Sequence, residues 1–368
     1  MKNLEKKIIC VFASLVLVCC CFASMVALVL KRDLNKAVCS SHPFNSLFFG
    51  IYGVTNNAMQ KKFIYNSEAS VYKLKNGFLS YKKDKADTTA YEKQLKDFNT
   101  FLTQKGINYN YIITAEAGDE RLGQLPYGVE TNYCEESTNI LKGVLERNNI
   151  KYLDTYETLI NADGNYYDYF YKTDHHWNDY AGLLVSEAIA NKLNSDYNMN
   201  LDASLFDVEK YEKHTYQSMF LGSCGKKIGL GYVPLEDFDL LLPKFETNFE
   251  ADYGNKFFKG SYYETLINQE VLRKDPYGVN CYAAYLYGDK PLISIKNLNC
   301  NNNKKVLVLK DSKANVVNAH FASCVEYLDI IDLRHFDDSL KDYIEETNPD
   351  VVLTIYSPFS AGEFYEFD

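Results

Sequence analysis

This chain has no C-x-x-C pair among its ten cysteines, no internal repeat and no long low-complexity linker, and it is short of positive charge. Its 39 lysines and arginines stand against 49 aspartates and glutamates, for a net charge of −10 at pH 7. The cysteine spacing excludes the usual zinc-ribbon and dithiol redox motifs. The acidic balance argues against a nucleic-acid partner. Tryptophan is almost missing, with a single residue, and histidine is sparse, with six. Any site that uses imidazole therefore has few places to be.

Charge is also missing from one long stretch. Residues 8–30, IICVFASLVLVCCCFASMVALVL, carry none. A bilayer core needs about 20 apolar helical residues, whereas a cleaved leader has a shorter apolar region ending in a small-x-small site. This run passes straight into KRDLNK, so it is expected to be retained as a signal anchor, with residues 1–7 as a cytoplasmic tail. Lys2, Lys6 and Lys7 before it nearly balance Lys31, Arg32 and Lys36 after it, so charge alone does not set the orientation. Cys10, Cys19, Cys20 and Cys21 read as small packing residues of the span. The other cysteines are scattered and permit disulfides without requiring them.

What is present is tyrosine, 31 residues of it. Exposed tyrosines suit sugar rings, although lysine, asparagine and tyrosine are abundant together, which is also a plain compositional bias. From residue 89 the pattern TAYEKQLKDFNTFLTQKG predicts a helix, with Thr89 and Glu92 as a capping box and Gly106 as its stop. A strand follows at residues 111–114, a helix at 136–148, a strand at 152–155, and a helix that begins at or just after Asn178. Residues 195–303 break the rhythm with short strand-like pieces, FDLLLP, AAYLY and PLISI, and are read as an insertion covering one end of the sheet. The rhythm resumes with VLVL at 306–309, a helix from Ala314 to about Tyr327, LDIIDL at 328–333, a helix at 340–347 and VVLTIY at 351–356. Such alternation implies an α/β fold, with a mostly parallel sheet covered by helices on both faces and sites beyond the carboxyl ends of its strands.

One motif lies at such an end, and a second lies at a helix start. KDSKANV puts Asp311 and Ser312 between a strand and a helix, where a serine can sit exposed near helix N-terminal N–H groups; both residues are also ordinary helix caps. TDHHWNDYAG, residues 173–182, holds Asp174, His175, His176 and the only tryptophan, Trp177. Serine needs an imidazole to accept its proton, and that imidazole works best with a carboxylate fixing its tautomer. Asp174 and His176, two apart in an extended entry to a helix, leave the backbone on the same side, with His175 pointing away. Metal binding by Asp174 and the two histidines is the rival, weakened by the lack of i, i+4 spacing. A plain surface helix start is the blandest alternative.

With both motifs in view, the chain resembles the DHHW family, relatives of the alginate O-acetylation proteins with an SGNH-hydrolase-like domain. The resemblance rests on YYDYFYKTDHHWNDYAG, FLGSCGKKIG, DPYGVNCYAAYLYGDKPLISIKN, KKVLVLKDSKANVV and IIDLRHF. It implies an SGNH-hydrolase-like parallel sheet over residues 75–368 with the insertion at about 195–303, a linker and N-terminal segment over 31–74, and the transmembrane helix at 8–30. By the same match Ser312 takes the nucleophile position, His176 the base and Asp174 the orienter. His175, Trp177, Ser223 and Gly225 are expected to touch substrate, the backbone of residues 223–225 being the candidate oxyanion donor. Neither metal nor cofactor is expected. Lys310 departs from the family, which usually has glycine before the Asp-Ser pair, so the turn is expected to be looser or the serine less exposed. The implied activity is O-acetyl transfer to a cell-surface or secreted polysaccharide, by a single-pass cell-membrane protein with its catalytic domain outside and an MBOAT-type membrane acyltransferase as acyl donor. A carbohydrate O-acetyl esterase and a non-catalytic polysaccharide-binding or assembly protein are the alternatives.

Overall fold

The computed structural model describes Val16, residues 42–65 and residues 70–360. Apart from Val16, the tail and anchor expected at residues 1–7 and 8–30 lie outside the described residues. Among the described residues no helix is long and apolar enough to cross a membrane.

Three short strands come first, β1 (Phe63–Ile64), β2 (Val71–Lys73) and β3 (Leu79–Tyr81), in a small antiparallel sheet. Next come β4 (Asn108–Ile113) and β5 (Lys151–Asp154), then an antiparallel hairpin of β6 (Tyr211–Phe220) and β7 (Glu236–Pro243). The strands β8 (Phe249–Asp252) and β9 (Phe257–Gly260) precede β10 (Leu292–Asn297), β11 (Lys305–Lys310), β12 (Tyr327–Ile331) and β13 (Val351–Tyr356). The main sheet runs β5-β4-β13-β11-β12-β10-β8-β9. Its first five strands are parallel to one another, and the joins from β12 to β10, β8 and β9 are antiparallel.

The sheet is therefore mixed rather than mostly parallel. Residues 195–303 do more than cover its end, since they contribute the three strands β10, β8 and β9 on one side of it. The physical reason lies in burial. Every residue of β13 is buried, as expected of a central parallel strand, whereas β10 alternates between half-buried and buried positions.

Two cores lie on the two faces. Val306, Val308, Val351, Leu353 and Ile355 face one, with the helices Asp179–Tyr197 and Ala314–Phe321 packed over them. Leu307, Leu309, Val352 and Tyr356 face the other, under the helices Glu92–Gln104, Cys134–Arg147 and Leu340–Thr347. Adjacent strand residues thus serve opposite cores, as the period of two demands.

Local chemistry shifts three expected boundaries. The Thr89–Glu92 capping box does not form: Asp87 caps a 3-10 turn at Thr88–Tyr91 by accepting from Thr89 N, and Glu92 instead binds Arg147 and Asn148. The helix from Ala314 ends at Phe321, not Tyr327, because Cys324 and Val325 continue the apolar pattern as buried turn residues. AAYLY is not a strand. Cys281–Ala284 form a 3-10 turn, and Leu286 and Tyr287 then adopt φ of 53° and 58°; burial on all sides gives this run its strand-like composition. The segment before residue 75 holds the helix His42–Ala58 along with β1 and β2, and that helix packs on the helix Ser223–Ile228.

Candidate active site

At the carboxyl end of β11 the chain turns through Asp311 and Ser312 into the helix Ala314–Phe321. Asp311 fastens the turn, its Oδ1 accepting from Lys313 N at 2.9 Å. Burial lifts its carboxyl above the ordinary range against the pull of Lys313. Ser312 is half-buried, and no described residue accepts from its backbone N–H. Lys310, the departure from the family pattern, is fully buried, and its Nζ donates to Asp289 at 2.6 Å and Asp332 at 3.0 Å. The ammonium is thus engaged beside the turn and leaves the Ser312 hydroxyl in hydrogen-bond contact with His176.

The other half of the site is an extended loop that enters the helix Asp179–Tyr197, with Asn178 capping that helix at Ala181 N. His176 Nε2 lies 2.8 Å from Ser312 Oγ, and His176 Nδ1 lies 2.6 Å from Asp174 Oδ1, which also accepts from His176 N at 2.9 Å. With Nδ1–H donating to the carboxylate, Nε2 is left to accept from the serine hydroxyl; this tautomer follows from the bonding network. Burial raises the Asp174 carboxyl, but the two histidines and their hydrogen bonds outweigh it and hold it well below its usual value. The His176 ring stacks on Tyr282 at 3.8 Å and 13°.

His175 does not point wholly away. Its Nδ1 lies 2.7 Å from Ser223 Oγ and 3.2 Å from Asp174 Oδ1, so one carboxylate serves two imidazoles. Burial, and then the neighbouring His176, lower the His175 pKa to about 4, which keeps this ring neutral at neutral pH. His175 and Ser223 are half-buried, less enclosed than Asp174 and His176.

Two expected substrate contacts are corrected by burial. Trp177 is fully enclosed, and its Nε1 donates to Lys313 O at 2.6 Å, an oxygen that also accepts from Tyr282 OH at 2.9 Å. It joins the histidine loop to the serine turn and does not reach solvent. Gly225 is also buried, its N–H donating to Thr173 O at 2.8 Å.

Of the backbone donors expected for an oxyanion at residues 223–225, two are already engaged, Ser223 N by Asp174 Oδ2 at 2.6 Å and Gly225 N by Thr173 O. The glycines of this loop answer to close packing. A Cβ on Gly222 would stand 2.3 Å from Asp174 Cβ, and one on Gly229 (φ 97°) would stand 2.0 Å from Phe49 O. Glycine is needed where backbones approach this closely.

Several contributors were missed in the sequence. Lys313 Nζ reaches across to Ala115 O at 3.0 Å and Glu116 Oε1 at 2.6 Å, just beyond β4, and Lys83 approaches the same carboxylate at 3.5 Å. Burial raises the Glu116 carboxyl, yet Lys313 and Lys83 bring it down to about 2. Glu236, first in β7, accepts from Lys172 N and Thr173 N, each at 2.7 Å, and from Thr173 Oγ1. Burial pushes its carboxyl up to about 7 in spite of these donors. Tyr282 lay inside a quoted stretch, but no periodicity marked it.

Among the described residues, Asp174, His175 and His176 form one group with ligand-type atoms within 4.8 Å of each other, and Asp289, Asp332 and His335 form another. The first is taken up by the hydrogen-bond chain just described. In the second, Lys310 and Arg334 already neutralise the carboxylates. Cavities of about 630, 550 and 610 Å³ lie elsewhere, and neither Ser312 nor His176 lines any of them.

Residues 74–229 match the family model described as the SGNH hydrolase-like domain of the acetyltransferase AlgX. Over those residues the chain is similar to an SGNH hydrolase-like domain. The matched span holds Asp174 and His176, whereas Ser312 lies beyond it, so geometry alone brings that serine to the SGNH-like loop. The fold is similar to that of Bacillus cereus PatB1, solved with a sulfonyl adduct, at 22% identity and a TM-score of 0.68 over 83% of this chain and 99% of that one. It is also similar to a DHHW family protein from Eubacterium siraeum DSM 15702, at 19% identity and a TM-score of 0.64 over 82% and 94%. The resemblance read from the sequence holds at the level of SGNH-like fold and kind. Comparison with curated proteins yields no match.

Proposed function

We propose that this protein is a serine-dependent O-acyltransferase that moves acetyl groups onto a polysaccharide. The observation that carries the reading is the continuous chain Asp174–His176–Ser312, with spacings of 2.6 and 2.8 Å. The match to an acetyltransferase domain supports acetyl as the group moved. His176 Nε2 takes the Ser312 proton as Oγ attacks the acyl carbonyl, and then delivers it to the departing donor group. Asp174, held ionised, steadies the imidazolium without taking the proton. The acceptor hydroxyl next loses its proton to Nε2 and attacks the acyl-serine, which forms the new ester and restores the Ser312 hydroxyl. His175 and Ser223, half-buried and packed against the Asp174–His176 pair, are assigned to the acceptor side.

In this reading residues 8–30 tether the domain outside the membrane, and an MBOAT-type membrane acyltransferase supplies the acyl group. The decisive experiment is Ser312→Ala in cells, scored by the acetyl content of the surface polymer. A fall to the level of the deletion supports transfer, a rise supports an esterase, and an unchanged level alongside a loss on deletion supports an assembly role. Protease shaving of intact cells tests topology, and a domain left untouched would refute the external placement.

A further inference from the structure

The hairpin β6/β7 comes from the region expected to be an insertion, yet it meets the histidine loop twice. β6 ends at Phe220, two residues before Gly222, which caps the helix Ser223–Ile228, and Phe220 pairs with Glu236 at the start of β7. From that position the Glu236 side chain turns onto the loop. One oxygen accepts from Thr173 N and Thr173 Oγ1, and the other accepts from Lys172 N. Thr173 Oγ1 in turn accepts from Gly222 N at 2.8 Å, and the next residue, Ser223, donates to Asp174 Oδ2.

We propose that Glu236 is a positioning residue, whose carboxylate clamps the two residues before Asp174 and so sets the alignment of Asp174 and His176 on Ser312. Three donors converge on this one group, and a carboxylate has acceptor sites for all of them. An amide in its place has one acceptor oxygen, and its NH2 would face a backbone N–H. Thr173 lies between two partners, donating to Glu236 and accepting from Gly222. Loss of the clamp thus frees both the loop that carries Asp174 and the loop whose N–H fixes its second oxygen. A displacement of about 1 Å at such a site can lower a rate by roughly 100-fold.

The proposal rests on the serine chemistry above only for its rate arm. The test uses the full chain in detergent above about pH 8, where the Glu236 carboxyl, raised to about 7, is ionised, with two readouts. One is the rate at which phenylmethylsulfonyl fluoride labels Ser312, followed by mass spectrometry. The other is the low-field proton resonance of His176 Nδ1–H held by Asp174. Glu236→Gln is expected to slow labelling by about 10- to 100-fold and to broaden or remove the resonance, with Glu236→Asp recovering part of both. A purely architectural role would lower the melting temperature and leave both readouts at wild-type values in the folded protein; that result overturns the proposal. Should the glutamine variant fail to fold, Thr173→Val removes only the hydroxyl and is read by the same two outcomes. Should wild type not label at Ser312 while Glu236→Gln still removes the resonance, the clamp stands and the acyl-serine reading falls.

Discussion

The loop that carries Asp174 and His176 and the turn that carries Ser312 meet across 2.8 Å, but different forces hold them. The loop is fixed by short contacts to neighbouring backbone, through Ser223 N, Gly222 N and a glycine that presses on Asp174, with the Glu236 carboxylate accepting from Lys172 N and Thr173 N behind it. Buried ion pairs hold the turn: Lys310 is caught between Asp289 and Asp332, and Lys313 is held by Glu116. Backbone contacts constrain distance but tolerate no added volume. Buried charges accept some movement but fail when a partner is removed or neutralised. Each half is thus brittle in its own way, and each of the following changes breaks one side.

The largest effect strikes where the halves meet. Ser312→Ala and His176→Ala should each lower acyl transfer by about 1,000-fold or more, and the double variant should fall little further, since such groups act as a unit. Steady-state transfer to a soluble saccharide acceptor checks both the size and the non-additivity.

On the turn, Lys310→Met leaves the Asp289 and Asp332 carboxylates with Arg334 as their cation partner among the described residues, and should cost about 3–5 kcal/mol, read by urea unfolding. Lys310 looked like a fault in the sequence, and this variant decides whether it supports the turn. On the loop, Gly222→Ala forces a methyl into Asp174 and should cost about 1–3 kcal/mol, with a loss of turnover greater than the loss of stability explains.

Acid reads the turn through Glu116. Glu116 has its carboxyl depressed to about 2 from 4.5, so the stability it contributes is present above pH 4.5 and is lost as pH falls towards 2. Glu116→Gln should flatten the fall in unfolding free energy across that window, whereas Gly222→Ala should leave its slope unchanged.

These differences also mark what could be read from the sequence. Asp174, His176 and Ser312 were legible because two chemically distinctive groups stand two apart and the serine follows an apolar strand. The capped helix start at Asn178 and the central strands were legible for similar local reasons. Glu236, Glu116 and Lys313 were not, since a lone charged residue in a polar stretch looks like solvated surface until a distant partner is known. The ion pairs of Lys310 were hidden for the same reason, because Asp289 and Asp332 are visible as partners only in the fold. The glycines of residues 222–231 were conspicuous, but spacing could not tell a close approach from an anion-binding loop. The edge strands β8 and β9, at four residues each, are too short to show a period.

The smallest effect tests the seam that neither half owns. Tyr282 stacks its ring on His176 and donates its hydroxyl to Lys313 O, so it touches the base on one side and the serine turn on the other. Tyr282→Phe keeps the ring and removes only the donor. Lys313 O still accepts from Trp177 Nε1 at 2.6 Å, so no buried carbonyl is left bare. The cost should be that of one net hydrogen bond, about 1 kcal/mol, with turnover changed by less than about tenfold. Tyr282→Ala removes the surface against which the imidazole lies, and its turnover should drop further than the phenylalanine variant's at equal substrate saturation. Equal turnover in the two variants would mean that the loop alone orients His176, making the backbone side of the comparison sufficient and the stacked ring only filling.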